Sequence, residues 1–286
     1  MLIILALGAA LLYGSADFLG GAATRRAALL AVLLTSALAA IAVQLPAALL
    51  AGGPPRASGI EWGLAAGAAG GIGLMFFYAG LAAGPMSVVS PVAALVSTVL
   101  PVGVAVAQGE RFGPAVYVGV LVCLTATILV SSGAGGAAAE TSHDWRYRAR
   151  GVALGLASGA AFGLFFLFIK NGGETGALWP ALAARCAGLA IYIPIALVVA
   201  RAAPVSWRAG WPLFAAALGA GALDAAANIC YVLATRAGLF GPAVVLTSLY
   251  PAVTVLLARL ALRERMHRTQ QAGLVLAAVG IALIAA

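Results

Sequence analysis

Asp224, Asn228, Tyr231 and Thr235 stand at i, i+4, i+7 and i+11 in a run otherwise rich in alanine and leucine. On a helix that spacing puts all four on one face. A carboxylate, an amide and two hydroxyls in one row can exchange a proton, balance a cation or hydrogen-bond a polar solute. Such a stripe does not face lipid. It lines a water-filled cavity, or it makes interhelical hydrogen bonds that only hold a bundle together. Arg185 belongs to a second apolar run. It either pairs with Asp224 or receives an anionic group of a solute. Asp17 shares a helical face with Tyr13, four residues earlier, in the first apolar run. Its carboxylate would bind a proton or a cationic group, or pair with Arg25 or Arg26 nearby. The candidate substrate- or proton-binding residues are therefore Asp224, Asn228, Tyr231, Arg185, Asp17 and Tyr13.

These groups need long apolar helices to position them. The apolar runs are roughly twenty residues long and do not alternate, so each spans about 30 Å of hydrocarbon as a helix rather than as a barrel strand. Ten spans are expected, at roughly 2–22, 27–50, 60–82, 86–107, 113–132, 150–171, 177–200, 210–235, 239–261 and 270–286. The interruptions carry turn formers or charge: Thr24-Arg25-Arg26, Gly52-Gly53-Pro54-Pro55-Arg56, Gly109-Glu110-Arg111 and Arg263-Glu264-Arg265. Gly84-Pro85 is a break without charge. Arg185 falls about eight residues into its span, about 12 Å deep, and Asp224 about fourteen residues in from the opposite face, about 21 Å. In a core about 30 Å thick the two depths nearly coincide.

Composition agrees with spans in lipid. Of 286 residues, 64% are hydrophobic and only 8% are charged, against about 25% charged in a soluble domain. So few charges cannot cover a water-facing surface. The net charge of +8 does not point to nucleic acid, because the basic residues are dispersed among loops, where they orient a membrane protein. Cys123, Cys186 and Cys230 lie within apolar runs with no spacing for a metal or a disulfide framework, and read as small packing residues. Met1 is followed directly by Leu2-Ile3-Ile4, so the first run is expected to stay as a span rather than be cleaved as a leader. No cofactor is expected. Lys170 and Arg259 near span ends are expected to snorkel, and His143 and His267 fall in loops.

The chain also repeats itself. Glu110-Arg111 matches Glu264-Arg265 at a shift of 264 − 110 = 154. The same shift aligns Ala83-Gly84 with Ala237-Gly238, Leu95 with Leu249, Val99 with Val253, Gly119 with Gly273 and Leu129 with Leu283. Charge is scarce here, which makes the Glu-Arg pair informative; in each half it closes the fourth span and opens the fifth. Five spans is an odd number, so the second copy enters the membrane upside down. Residues 1–132 and 150–286 are then two inverted five-helix repeats joined by a linker at 133–149. Inverted repeats are built around a substrate site near the midplane. Pro91, Pro101 and Pro251 are expected to kink their helices around such a site. Gly151, Gly155, Gly159 and Gly163 form a ridge on the sixth span that lets a neighbour approach closely. Thr247, Tyr250, Pro251 and Thr254 form a further stripe on the ninth.

Particular residues carry a family likeness. The run Ser248-Leu249-Tyr250-Pro251-Ala252-Val253-Thr254-Val255-Leu256-Leu257-Ala258-Arg259, with Glu264-Arg265 and Gln271-Ala272-Gly273 after it, resembles the EamA-type drug/metabolite transporters. So do Leu12-Tyr13-Gly14-Ser15-Ala16-Asp17-Phe18 and the stretch from Gly84-Pro85 through Ser90-Pro91 to Gly109-Glu110-Arg111. The resemblance implies an all-α integral membrane protein of ten transmembrane helices in two inverted repeats. It further implies carrier-type movement of small metabolites, often export, without naming one solute. Many members have a basic N-terminal tail, whereas this chain starts apolar.

The expected function is thus a secondary carrier of a small solute, such as an amino acid, another metabolite or a drug-like compound. It would sit in the cell membrane as a monomer or homodimer and couple to a proton or another ion. An intramembrane enzyme is the competing class, since Asp17 and Asp224 could act as an aspartyl pair. Gly221-Ala222-Leu223-Asp224 lacks the second glycine of a Gly-x-Gly-Asp pattern, however, and no His-Glu-x-x-His, Gly-x-Ser-x-Gly or P-loop motif occurs. A structural or receptor-like membrane protein would not need midplane polar stripes. Loop charges set the expected orientation. Arg25, Arg26, Arg146, Arg148, Arg150, Arg201, Arg208, Arg263, Arg265 and Arg268 fall on one side, with Arg56, Arg111, Lys170 and Arg236 on the other. The richer side should be cytoplasmic, leaving both termini outside.

Overall fold

A computed structural model of the chain describes residues 1–24, 27–51, 53–83, 86–132, 145–173, 178–202, 210–262 and 268–285. Among them there is no strand. The helices are α1 (Leu2–Thr24), α2 (Leu29–Leu50), α3 (Ala57–Ala83), α4 (Met86–Ala107), α5 (Pro114–Ser132), α6 (Trp145–Gly173), α7 (Trp179–Ala202), α8 (Gly210–Arg236), α9 (Phe240–Thr247), α10 (Tyr250–Leu262) and α11 (Arg268–Ala285). Six of them, α1, α2, α3, α6, α7 and α8, are long and apolar enough to cross a membrane. Four shorter apolar segments lie at Val92–Ala107, Pro114–Leu129, Phe240–Thr254 and Gln271–Ile284. The outer surface is apolar: Leu50, Leu121, Leu197, Val198, Leu260 and Val275 all stand well exposed. In water that belt would be a liability, and lipid is the solvent it suits.

The segment expected as one ninth span is two helices. Residues Ser248 and Leu249 form a turn between α9 and α10. Pro251 explains the break, because it has no N–H to offer the carbonyl of Thr247 and its ring crowds that carbonyl. The Val244 carbonyl accepts both the N–H of Ser248 at 2.9 Å and its hydroxyl at 2.8 Å, which closes the last turn of α9. Pro91 and Pro101, by contrast, lie inside α4 without ending it.

Helices from the two ends of the chain interleave. α3 packs on α6 and α7, α1 on α8, α9 and α10, α4 on α6, α2 on α7 and α8, and α5 on α11. Small residues allow the close approaches. Along α6, Gly155 faces Val89 and Val92, Gly159 faces the Ala93 backbone and Val96, and Gly163 faces Leu100, so the glycine ridge is the α4 contact. Gly63 and Gly67 of α3 lie against the backbone of Pro180 and Ala184, and Gly221 of α8 lies against the backbone of Ser36. Polar side chains then tie helix to helix, as interhelical hydrogen bonds do where water is absent. Ser36 Oγ donates to the Ala217 carbonyl at 2.9 Å, and Thr254 Oγ1 donates to the Gly14 carbonyl at 3.1 Å.

Candidate functional site

A cavity with about 880 Å³ of empty space opens between the two ends of the chain. Its walls come from α1, α2, α3 and α4 of the first half of the chain, interleaved with α6, α7, α8 and α10 of the second. α5 and α11 pack on each other away from it. α3 contributes Gly67, Gly70, Gly71, Leu74 and Phe77 to the wall, and its glycines let α6 and α7 approach closely there. On α6 the residues Phe162, Phe165 and Phe166, at i, i+3 and i+4, present an aromatic face.

Charge enters this apolar space from three residues. Arg185 on α7 and Asp224 on α8 form an ion pair, Nη2 to Oδ2, with side chains 21% and 30% exposed. The matched depths of the two residues in their spans put them within reach. Asp17 on α1 lines the same cavity and has no ion pair among the described residues. It lies close enough to Asp224 for their charges to interact. Arg25 and Arg26, its expected alternative partners, fall outside the described residues.

Tyr13 lies one turn before Asp17. Its ring meets Phe166 and Tyr250 edge-on, each at 6.4 Å between centroids. Its hydroxyl is buried with no hydrogen-bond partner, which is uncommon for a buried polar atom and marks it as available to something else. Asn228 also lines the cavity, but its Nδ2 donates to the backbone carbonyl of Asp224 at 2.8 Å.

The lower half of the α8 stripe behaves differently. Tyr231 is fully buried and does not line the cavity. Its hydroxyl donates to the Phe166 carbonyl at 3.2 Å and its ring packs on Phe166 at 4.8 Å. Thr235 Oγ1 donates to the Val232 carbonyl at 2.9 Å. Periodicity fixes the angular face of a residue but not its height. Tyr231 stands about 10 Å along the axis from Asp224, where Phe166 covers it. Tyr192, on the other hand, is a lining residue the sequence reading did not select. It shares a face with Arg185 and Gly188 at i, i+3 and i+7, and its hydroxyl donates to the Gly71 carbonyl at 3.4 Å. That spacing was the available signal.

Toward the α9 end the bundle is closed by a separate set of contacts. The carboxylate of Glu110 accepts from the N–H of Gly241, in the first turn of α9, at 3.2 Å. There it satisfies a donor that the helix leaves free. Lys170, expected to snorkel, holds its ammonium 5.3 Å from the Phe240 ring centre. Trp179 Nε1 donates to the Gly53 carbonyl at 3.0 Å. Glu264, Arg265, His143 and His267 lie outside the described residues, as does the side chain of Arg259.

Two phenylalanine substitutions separate packing from chemistry. Tyr231→Phe is expected to lower stability by about 1 kcal/mol through the lost bond to Phe166 and to leave solute binding intact. Tyr13→Phe should leave the melting temperature unchanged or slightly raised, because its hydroxyl has no partner to lose, and should weaken solute binding. Thermal melting and ligand titration of both variants check this. The reverse assignment of effects would show that the cavity is not the binding site.

Comparison with known proteins adds two findings. Residues 149–286 match the model of the EamA-like transporter family. A protein of known crystal structure superposes with a TM-score of 0.78 over 99% of this chain and 95% of its own, at 20% sequence identity, which speaks to the fold alone. No curated protein matches the chain.

Proposed function

We propose, from the match of residues 149–286 to the EamA-like transporter family, that the chain is a secondary carrier binding a small solute in the cavity around Arg185, Asp224, Asp17 and Tyr13. The observation that carries the reading is the origin of the cavity walls. Four helices from the first half and four from the second meet around the charged groups. A site shared in this way can be exposed to one face or the other as the halves rock.

The proposed architecture is ten spans in two inverted repeats, residues 1–132 and 150–286, joined through 133–149. The six long and four shorter apolar segments support the count, with α9 and α10 read as one interrupted span. Exchanging the halves turns the α3–α6 contact into α8–α1, α2–α8 into α7–α3, and α4–α6 into the packing of α9 and α10 on α1. That interchange is what a twofold relation between repeats produces. The membrane proposed is the cell membrane, with the arginine-rich loops in the cytoplasm, and the direction proposed is export. Proton coupling fits carboxylates held in a water-accessible cavity.

Purified protein in liposomes tests this. Saturable solute flux and counterflow without ATP are expected, with rates that respond to an imposed pH gradient. If a broad solute panel gives no saturable flux, or if flux needs ATP, the carrier reading is wrong.

A further inference from the structure

With all three side chains ionised, the charges in the cavity do not sum to zero. Arg185 and Asp224 neutralise each other, while Asp17 stands in the same space with no cation beside it among the described residues. A carboxylate in a low-dielectric site is held by a proton or by a cation. The walls add a second preference. Tyr13, Phe166 and Tyr250 meet edge-on around the α1 face, and Phe162, Phe165 and Tyr192 extend the aromatic surface. Aromatic faces attract cations, most strongly where water is scarce.

Other solute chemistries fit less well. An anion would have to draw Arg185 away from Asp224 and would then meet Asp17. A polyol would need many free donors and acceptors. Ser97 Oγ, however, donates to the Ala94 carbonyl and Asn228 Nδ2 to the Asp224 carbonyl. That leaves the Tyr13 hydroxyl as a buried polar atom with no partner. It lies one helical turn from Asp17, where it can orient a donor N–H or contact a carboxylate-bound cation.

We propose that the cavity takes a monovalent organic cation with an apolar or aromatic body, with Asp17 as its counter-charge and the Tyr13, Phe166 and Tyr250 rings around its charged end. The proposal deepens the carrier reading by naming the solute class of the same cavity. On that reading Asp17 holds either a proton or the organic cation, so one displaces the other.

Equilibrium binding of radiolabelled benzyltrimethylammonium to the purified full-length protein in detergent tests the class without requiring transport. Competitors of similar shape and different charge are neopentylbenzene (neutral), phenylacetate (anionic) and phenylalanine betaine (zwitterionic). Saturable cation binding that none of the three displaces at equal concentration is expected. Asp17→Asn should weaken it at least about tenfold, as the loss of a charge-assisted contact does, with an unchanged melting temperature. Asp17→Glu should recover part of the affinity. Equal competition by the neutral, anionic or zwitterionic compound would overturn the proposal, and so would unaltered binding by a folded Asp17→Asn protein. If the cation binds through Asp17 but liposomes show no flux, the ligand class stands and the carrier reading falls. If other solutes are carried and the cation does not bind, the carrier reading stands and the class falls.

Discussion

Asp224→Asn should reduce solute flux at least about tenfold, as loss of a charge-assisted contact does, while lowering stability only modestly. The change keeps the side-chain shape and leaves Arg185 without its partner. Stranding a charge in a dry interior costs about 3–5 kcal/mol, whereas an exposed pair is worth about 0–1 kcal/mol. With side chains 21% and 30% exposed toward the cavity, this pair lies between those limits. A loss of about 1–2 kcal/mol is expected, well short of unfolding. A neutral amide still cannot balance Arg185 or exchange a proton, so flux falls more than stability. Adding Arg185→Gln should restore the melting temperature without restoring flux. Melting and liposome flux measured on one preparation decide it. Normal flux in a folded Asp224→Asn protein would remove the pair from the mechanism.

Gly221→Ala should be the most destabilising single methyl addition in the second half. A Cβ at Gly221 would run into the carbonyl of Ser36, with the Ser36 Cα and carbonyl carbon each at 2.7 Å. Backbone cannot rotate aside, so α2 and α8 must separate. They would then loosen the Ser36 bond to Ala217 at 2.9 Å and the Gln44 bond to Ala225 at 3.5 Å. Overpacking of this kind costs about 1–3 kcal/mol or more. Gly103→Ala is the matched control, because nothing lies within 4 Å of its added carbon. Its expected effect is neutral to about 1 kcal/mol stabilising, from helix propensity. Melting temperatures that do not separate the two variants would contradict the close approach of α2 and α8.

Much of this was readable from residue types and spacing. Runs of apolar residues bounded by glycine, proline and arginine placed the helices, because lipid leaves little choice of backbone. Matched depth brought Arg185 and Asp224 together, since helix rise is constant. The glycine ridge of α6 announced a close neighbour, though not that it is α4. What escaped depends on relations between distant segments. Tyr231 shares a face with Asp224, but only the packing of Phe166 on it decides that it does not line the cavity. Glu110 stood out as half of a repeated pair. Its role in capping α9 could not be read, because its partner Gly241 is 131 residues away. Tyr192 was passed over because a lone tyrosine in an apolar run looks like packing until Arg185 and Gly188 are seen on its face.

The interleaving of the helices also bears on how the protein is made. α1 rests on α8, α9 and α10, and the bond from Thr254 to Gly14 joins residues 240 apart in sequence. A nascent chain that has delivered α1 to α5 to the bilayer therefore has only part of the cavity wall. Asp17 and Tyr13 wait for α10 before their surroundings exist. The cavity therefore assembles from both halves together, and the inner faces of α1 and α3 are open to lipid or to chaperones until α6 to α10 have followed them.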